Sequence, residues 1–294
     1  MEMVAKVPTS RLLLASLSTL FAVTDSEIPW ELSWKHLPYV LQIIQSHASG
    51  LIDACGSLHY ILKQCRRHHL SIPKSVLDTV PYLIPHLTHH CKQRSHEALN
   101  AIASGSDEES QVLLDSNILD VLNQVLDDWD WRLEACTLIA KFTAGNARQI
   151  ACVVDNGTMT KVMNIVRNPD KGMKIWREAS WAVANALDGR RSPEQFQSLV
   201  VHHRAFEPLC YELAEHGYCY AESQCLVYYA ESECLTKKTT ERLLRCLDQA
   251  TIHLPSLQQG ADFTLVSETI SKIEQIFAMK DYNTYRRESK NGNW

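Results

Sequence analysis

The chain has 294 residues, enough for one or two globular domains or one continuous solenoid. Hydrophobic residues make up 45% while Gly and Pro number only 10 each, which disfavours an all-β architecture with its many tight turns. A net charge of −5 denies the chain the basic footprint that phosphates demand, so no nucleic-acid partner is expected and basic partners suit it better.

In chain order, residues 11–23, RLLLASLSTLFAV, are the first apolar run. A signal peptide is the competing reading. The lack of a small-x-small cleavage site before Asp25, and the fit to the repeat below, favour a helix. The run is too short to span a membrane, and no other run is long enough, so no membrane partner is expected. LPYVLQII (37–44) and VPYLIPHL (80–87) begin helical units, with Pro38 and Pro81 expected in a first helical turn. VLNQVL (121–126) and KVMNIV (161–166) carry apolar residues at helical spacing. Each follows a turn-like stretch, DSNILD or DNGTMT, placed as a connector between units.

LIDACGSLHYIL (51–62), RLEACTLIAKFTAG (132–145) and WREASWAVANALDG (176–189) each place an acid, an Ala and a small residue ahead of an amphipathic stretch. SHEALNAIASG (95–105) shares the small-Gly ending, and ASLSTLFAV (15–23) joins more weakly. Gly105, Gly145 and Gly189 read as helix stops. Aligned, one slot falls at Ala15, Gly56, Glu97, Thr137 and Trp181, at spacings of 41, 41, 40 and 44 residues. A second slot, four residues on, holds Thr19, Tyr60, Ala101, Lys141 and Asn185. A period of about 40–47 residues belongs to armadillo and HEAT repeats, whose helices bury their apolar faces only by stacking.

The expected fold is an all-α, armadillo-repeat, right-handed superhelical solenoid over residues 1–280, with about six to seven repeats and the first one partial. EPLCYEL (207–213), ESQCLVYYAESECL (222–235), ERLLRCLDQATIHL (241–254) and LVSETISKIEQIF (265–277) read as amphipathic helices of closing units. Residues 281–294 are polar and aperiodic, and a disordered tail is expected there. Of the 10 cysteines, Cys55, Cys136, Cys152, Cys210 and Cys225 lie in apolar helical patterns and are expected to be reduced, not a disulfide framework.

EASWAVANALDG (178–189), with SPEQFQSLV (192–200) and FEPLC (206–210), resembles the late repeats of importin-α, the adaptor that reads nuclear localisation signals. EACTLIAKFTAGNARQIACVVDNG (134–157), SGSDEESQVLLDSN (104–117) and IDACGSLHYIL (52–62) resemble earlier repeats, and EIPWELSWKHLPYVL (27–41) is similar to a long connector. The resemblance spans about residues 12–278 and roughly the family's fourth through tenth repeats, with its specific motifs in 130–210.

The resemblance implies a concave groove that holds a basic linear peptide. Glu178, Trp181 and Asn185, at i, i+3 and i+7 of one helix, match the family's pocket residue by residue. The indole would stack on a Lys or Arg, the Asn grip the peptide main chain and the acid receive the cation. Tyr60 matches the family's Tyr in its own repeat, and Asp107 matches an acidic residue of the smaller signal site. Gly56, Thr137 and Lys141 depart from the pattern, and Lys141 puts a cation in a groove meant for cations. Residues 1–11 carry two cations and do not match the family's basic importin-β-binding segment, so importin-β binding is not expected.

The implied protein is an import adaptor or a divergent, decoy-type relative in cytoplasm and nucleus, with an export receptor a further partner for the C-terminal repeats. A scaffold whose groove has been reassigned to another protein stays open beside it. No P-loop, dinucleotide Gly pattern, HExxH or nucleophile elbow is present, so no catalysis and no cofactor are expected. CRRHH (65–69) and HLTHHC (86–91) match no zinc spacing, and no metal is expected.

Overall fold

The computed structural model describes residues 30–46, 50–88, 91–167, 172–187 and 261–279, together with positions 199, 227, 245 and 248. All regular elements among these residues are helices. The chain divides into two compact units, Met1–Leu138 and Ile139–Trp294, and each is described by itself.

The first unit opens on α1, Trp30–Ser46, and α2, Leu51–Arg67. Pro38 lies in the interior of α1, not in a first turn as the sequence suggested, and the stretch around it is helix, not a connector. Leu37, Val40, Leu41 and Ile44 carry the apolar spacing straight through the proline, and their burial holds the helix across the missing hydrogen bond. After α2 come two short helices, α3 (Lys74–Leu77) and α4 (Val80–Leu83), and a 3-10 turn at Ile84–Thr88. Pro81 does sit at the start of α4, where its lost N–H has no intrahelical partner anyway. The long helix α5 follows at Lys92–Ala103.

The pattern of two short helices and one long one then recurs. It runs through α6 (Asp107–Asp115), α7 (Ile118–Val125) and α8 (Arg132–Ala144), then α9 (Ala147–Asp155), α10 (Thr158–Val166) and α11 (Met173–Leu187). A further helix, α12, spans Ala261–Met279. The readings at 207–213, 222–235 and 241–254, Gly189, Cys210, Cys225, the first repeat at 15–23 and the tail at 281–294 lie outside the described residues, apart from single positions.

Local chemistry repeats with the helices. Ser106 and Asn146, 40 residues apart, each close a capping box, with Glu109 and Gln149 as the returning partner. Asn117 (φ 61°) and Gly157 (φ 81°), again 40 apart, turn the first short helix into the second through a left-handed residue. These turns lie inside a repeat, not between repeats, and the second short helix starts three residues earlier than its apolar run suggested. Ile118 and Leu119 are already buried with Leu122 and Val125, as Thr158 and Met159 are with Val162 and Met163.

Gly105 and Gly145 do stand just beyond α5 and α8, but for a reason the sequence does not display. Neither has a positive φ. A Cβ at Gly105 would overlap Glu109 Oε2 and Arg66 Nη2, and one at Gly145 would overlap Gln149 Oε1. The glycines make room for the buried capping side chains.

Within the first unit, consecutive long helices stack. α2 packs along α5 through Leu58, Ile61, Leu62, Leu99 and Ile102. His59 Nδ1 donates to the Glu97 carbonyl at 2.9 Å, and His96 Nε2 donates to that of Glu134 at 2.8 Å. Arg66 Nη2 reaches Glu109 Oε2 at 2.6 Å, so the end of α2 is tied to the start of α6. In the second unit, α10 packs against α9 and α11, and Trp176 is buried with its Nε1 donating to the Val166 carbonyl at 3.1 Å. Cys55, Cys65 and Cys91 are free, buried thiols. Burial pushes the Cys55 thiol up to about 12, so it behaves as a small apolar side chain.

Candidate functional site

Each long helix must bury most of its circumference against its neighbours, so only one stripe can face solvent. On α8, Ala135, Cys136, Leu138, Ile139, Ala140, Phe142 and Thr143 are buried. Beyond its first two residues, what stays open is Glu134, Thr137, Lys141 and Ala144. On α5 the open stripe includes Glu97, Asn100 and Ala101. On α11 it includes Lys174, Arg177, Glu178, Trp181 and Asn185. From α5 onward, both slots derived from the period fall on this stripe. On α2 the second slot, Tyr60, is half-buried, but the first, Gly56, is buried.

Glu178, Trp181 and Asn185 are thus brought together on one face of α11. The two tryptophans of this helix have opposite fates. Trp176 is 3% exposed and hydrogen-bonded to α10, whereas Trp181 leaves 37% of its surface in water. Asn185 Nδ2 donates to the Ala140 carbonyl at 2.9 Å, which fixes the far end of the stripe to α8. Lys141, next in the chain to Ala140, is half-buried. Lys174 and Arg177 lie exposed toward the start of α11.

Tyr60 and Asp107 belong to the first unit, on different helices. Tyr60 is half-buried on α2. Asp107 is exposed in the first turn of α6, beside Glu108 and Glu109, where negative charge complements the helix dipole. The hydrogen bond with the Ser106 side chain holds the Glu108 carboxyl below its ordinary value. Glu97, in the first slot of α5, is engaged by Arg94 at 2.9 Å and by Gln93 at 3.2 Å.

Of the Cys/His stretches, Cys65 is buried with its thiol pushed upward by that burial, the opposite of a thiolate ligand. His68 caps α2 and His69 turns the chain at φ 53°. His89 and His90 lie outside the described residues. Among the described residues, no group of three His, Cys, Asp or Glu is placed to hold a metal, and no helix is long and apolar enough to cross a membrane.

Sequence reasoning missed one group. Lys92 Nζ pairs with Asp128 Oδ2 at 2.8 Å and stands 5.8 Å from the Trp131 ring centre. The Arg132 guanidinium stands 5.4 Å from that of Trp129. The signal was DDWDWR (127–132), two tryptophans inside an acidic run, but Lys92 joins it only through the fold.

A three-helix repeat of about 40 residues, stacked long helices and one open stripe per long helix define an armadillo-repeat scaffold. Solved structures agree. A designed armadillo repeat protein in complex with the peptide (KR)4 superposes with a TM-score of 0.65 at 22% identity, over 82% of this chain and 99% of that one. Computationally designed armadillo repeat proteins for modular peptide recognition match at 0.65 and 21%, over 82% and 99%. An engineered protein matches at 0.61 and 20%, over 82% and 96%. No protein-family model and no curated protein matches the chain.

Proposed function

We propose that this armadillo scaffold holds an extended peptide, and that the stripe Glu178, Trp181 and Asn185 takes one basic side chain of it. The observation that carries the reading is the half-open indole of Trp181 on a helix whose other tryptophan is packed away. An indole face attracts a Lys or Arg head by about 0.5–2 kcal/mol. Glu178 lies one helical turn from it, ready to receive the charge, and Asn185 is held in place by Ala140. The designed relative solved with (KR)4 supports a basic ligand for this kind of fold.

The finer reading is an importin-α-like protein that recognises nuclear-localisation-type peptides and works in cytoplasm and nucleus. An export receptor is then a further partner for the C-terminal repeats. It rests on the Glu-Ala-x-Trp-x-x-x-Asn motif at 178–185. One complete stacking pocket, where such a groove has several, predicts weak binding, with a dissociation constant on the order of tens of micromolar. The second reading, a groove reassigned to another partner, is favoured by Lys141, which puts a cation on the open stripe of α8.

Fluorescence polarisation with a labelled basic signal peptide separates them. The adaptor reading expects saturable binding that Trp181→Ala weakens roughly tenfold. No binding at about 100 μM, or binding indifferent to Trp181→Ala, leaves the reassigned scaffold.

A further inference from the structure

We infer a second docking surface, on the connector ahead of α8 and its first turn (residues 127–134), for a lysine- and arginine-rich segment of a partner protein. It lies in the first compact unit and shares no residue with the α11 stripe, so it stands or falls independently of that reading.

The first observation is a tryptophan held in water by a braced loop. Trp129 is 50% exposed. A floppy connector would let such a ring fold down onto the surface, but this one is pinned. Arg132 Nε donates to the Leu126 carbonyl at 2.6 Å, and the Asp130 amide donates to Asp128 Oδ1 at 3.2 Å. The Trp131 amide donates to the Asp128 carbonyl at 3.2 Å, and Lys92 Nζ holds Asp128 from α5 at 2.8 Å. The ordering cost that a ligand would otherwise meet is already met by the fold.

The second observation is the chemistry this surface already displays. Both indoles carry a cation of the chain itself, Lys92 over Trp131 and Arg132 over Trp129. Residues 127–134 contribute four acids, Asp127, Asp128, Asp130 and Glu134, so the edge stays negative after Lys92 and Arg132 are counted. Such a field repels phosphates and draws in a cationic segment.

Isothermal titration of the full chain with a tetrapeptide of alternating Lys and Arg tests this. Two peptides are expected per chain, falling to one in Trp129→Ala, while the same tetrapeptide built of Glu does not bind. Asp127→Asn with Asp130→Asn is expected to weaken the same site about fivefold and to flatten its salt dependence. These positions are not buried, and far-UV circular dichroism verifies that the variants stay folded. One peptide per chain, lost in Trp181→Ala and untouched in Trp129→Ala, overturns this inference and leaves the α11 reading intact. One peptide per chain, lost in Trp129→Ala and untouched in Trp181→Ala, upholds it and removes the other. No binding to the wild-type chain overturns both.

Discussion

Replacing Glu109 by Ala is expected to destabilise the first compact unit by about 3 kcal/mol. The carboxylate accepts from Arg66 Nη2 at 2.6 Å and from the Ile72 and Ser106 amides at 3.0 Å each. Its side chain is only 10% exposed, and that of Arg66 is 29% exposed. Deleting one member of a buried pair costs about 3–5 kcal/mol, because the remaining charge keeps its desolvation without its partner. Two stranded amides would add about 1 kcal/mol each if water could not reach them. Arg66 retains the Ala101 and Ile102 carbonyls at 3.4 Å and can turn toward solvent, which places the cost at the low end of that range. Glu109→Gln is expected to cost only about 1–2 kcal/mol, since one acceptor oxygen survives. Gln149, 40 residues on, closes the same capping box with an amide. The assay is the urea midpoint by circular dichroism at unchanged slope, with the exchange rate of the Ile72 amide as the local probe. That amide should exchange about a hundredfold faster in Glu109→Ala. A loss below about 0.5 kcal/mol would refute the reasoning, for it would rank this pair with exposed ones.

Three further predictions follow from other parts of the structure. Trp176→Ala should cost about 3–5 kcal/mol by leaving a cavity between α10 and α11, whereas the exposed Trp181→Ala should stay within about 1 kcal/mol of wild type; thermal melts compare them. Gly157→Ala should cost about 1–2 kcal/mol in urea unfolding, from left-handed strain alone, because nothing lies within 4 Å of the added Cβ. The hydrogen bond from Lys92 holds the Asp128 carboxyl below its ordinary value. A depressed folded-state value means that the contact stabilises above the usual carboxylate range and is lost as pH falls through the folded value. Carbon-13 titration of Asp128 should therefore show a low midpoint in wild type and a higher one in Lys92→Met, where only the Asp130 amide still holds the carboxylate.

The repeat was legible because burial imposes it. A long helix packed on most sides leaves one open stripe, so Glu97, Thr137 and Trp181, and Ala101, Lys141 and Asn185, recur at spacings of 40 and 44 residues that the sequence displays directly. Gly56 kept the spacing, but its position on α2 is buried and not on the open stripe. Pro38 misled because proline is a local signal, while the burial of Leu37, Leu41 and Ile44 that overrides it is tertiary. Gly105 and Gly145 were placed correctly as boundaries but for a local reason, when the space they leave is filled by Glu109 and Gln149. Contacts such as Arg66 to Glu109 and Lys92 to Asp128 join residues 43 and 36 positions apart, and no local pattern reveals them. Of the candidate site, the three α11 residues were legible as one face because helix geometry alone unites them.

The most direct test is a titration of the indole N–H resonances with a basic octapeptide, observed by nitrogen-edited NMR. The account predicts that the Trp181 signal moves saturably while that of Trp176, donated to Val166, stays in place. A Trp181 signal unmoved at about 1 mM peptide would contradict it.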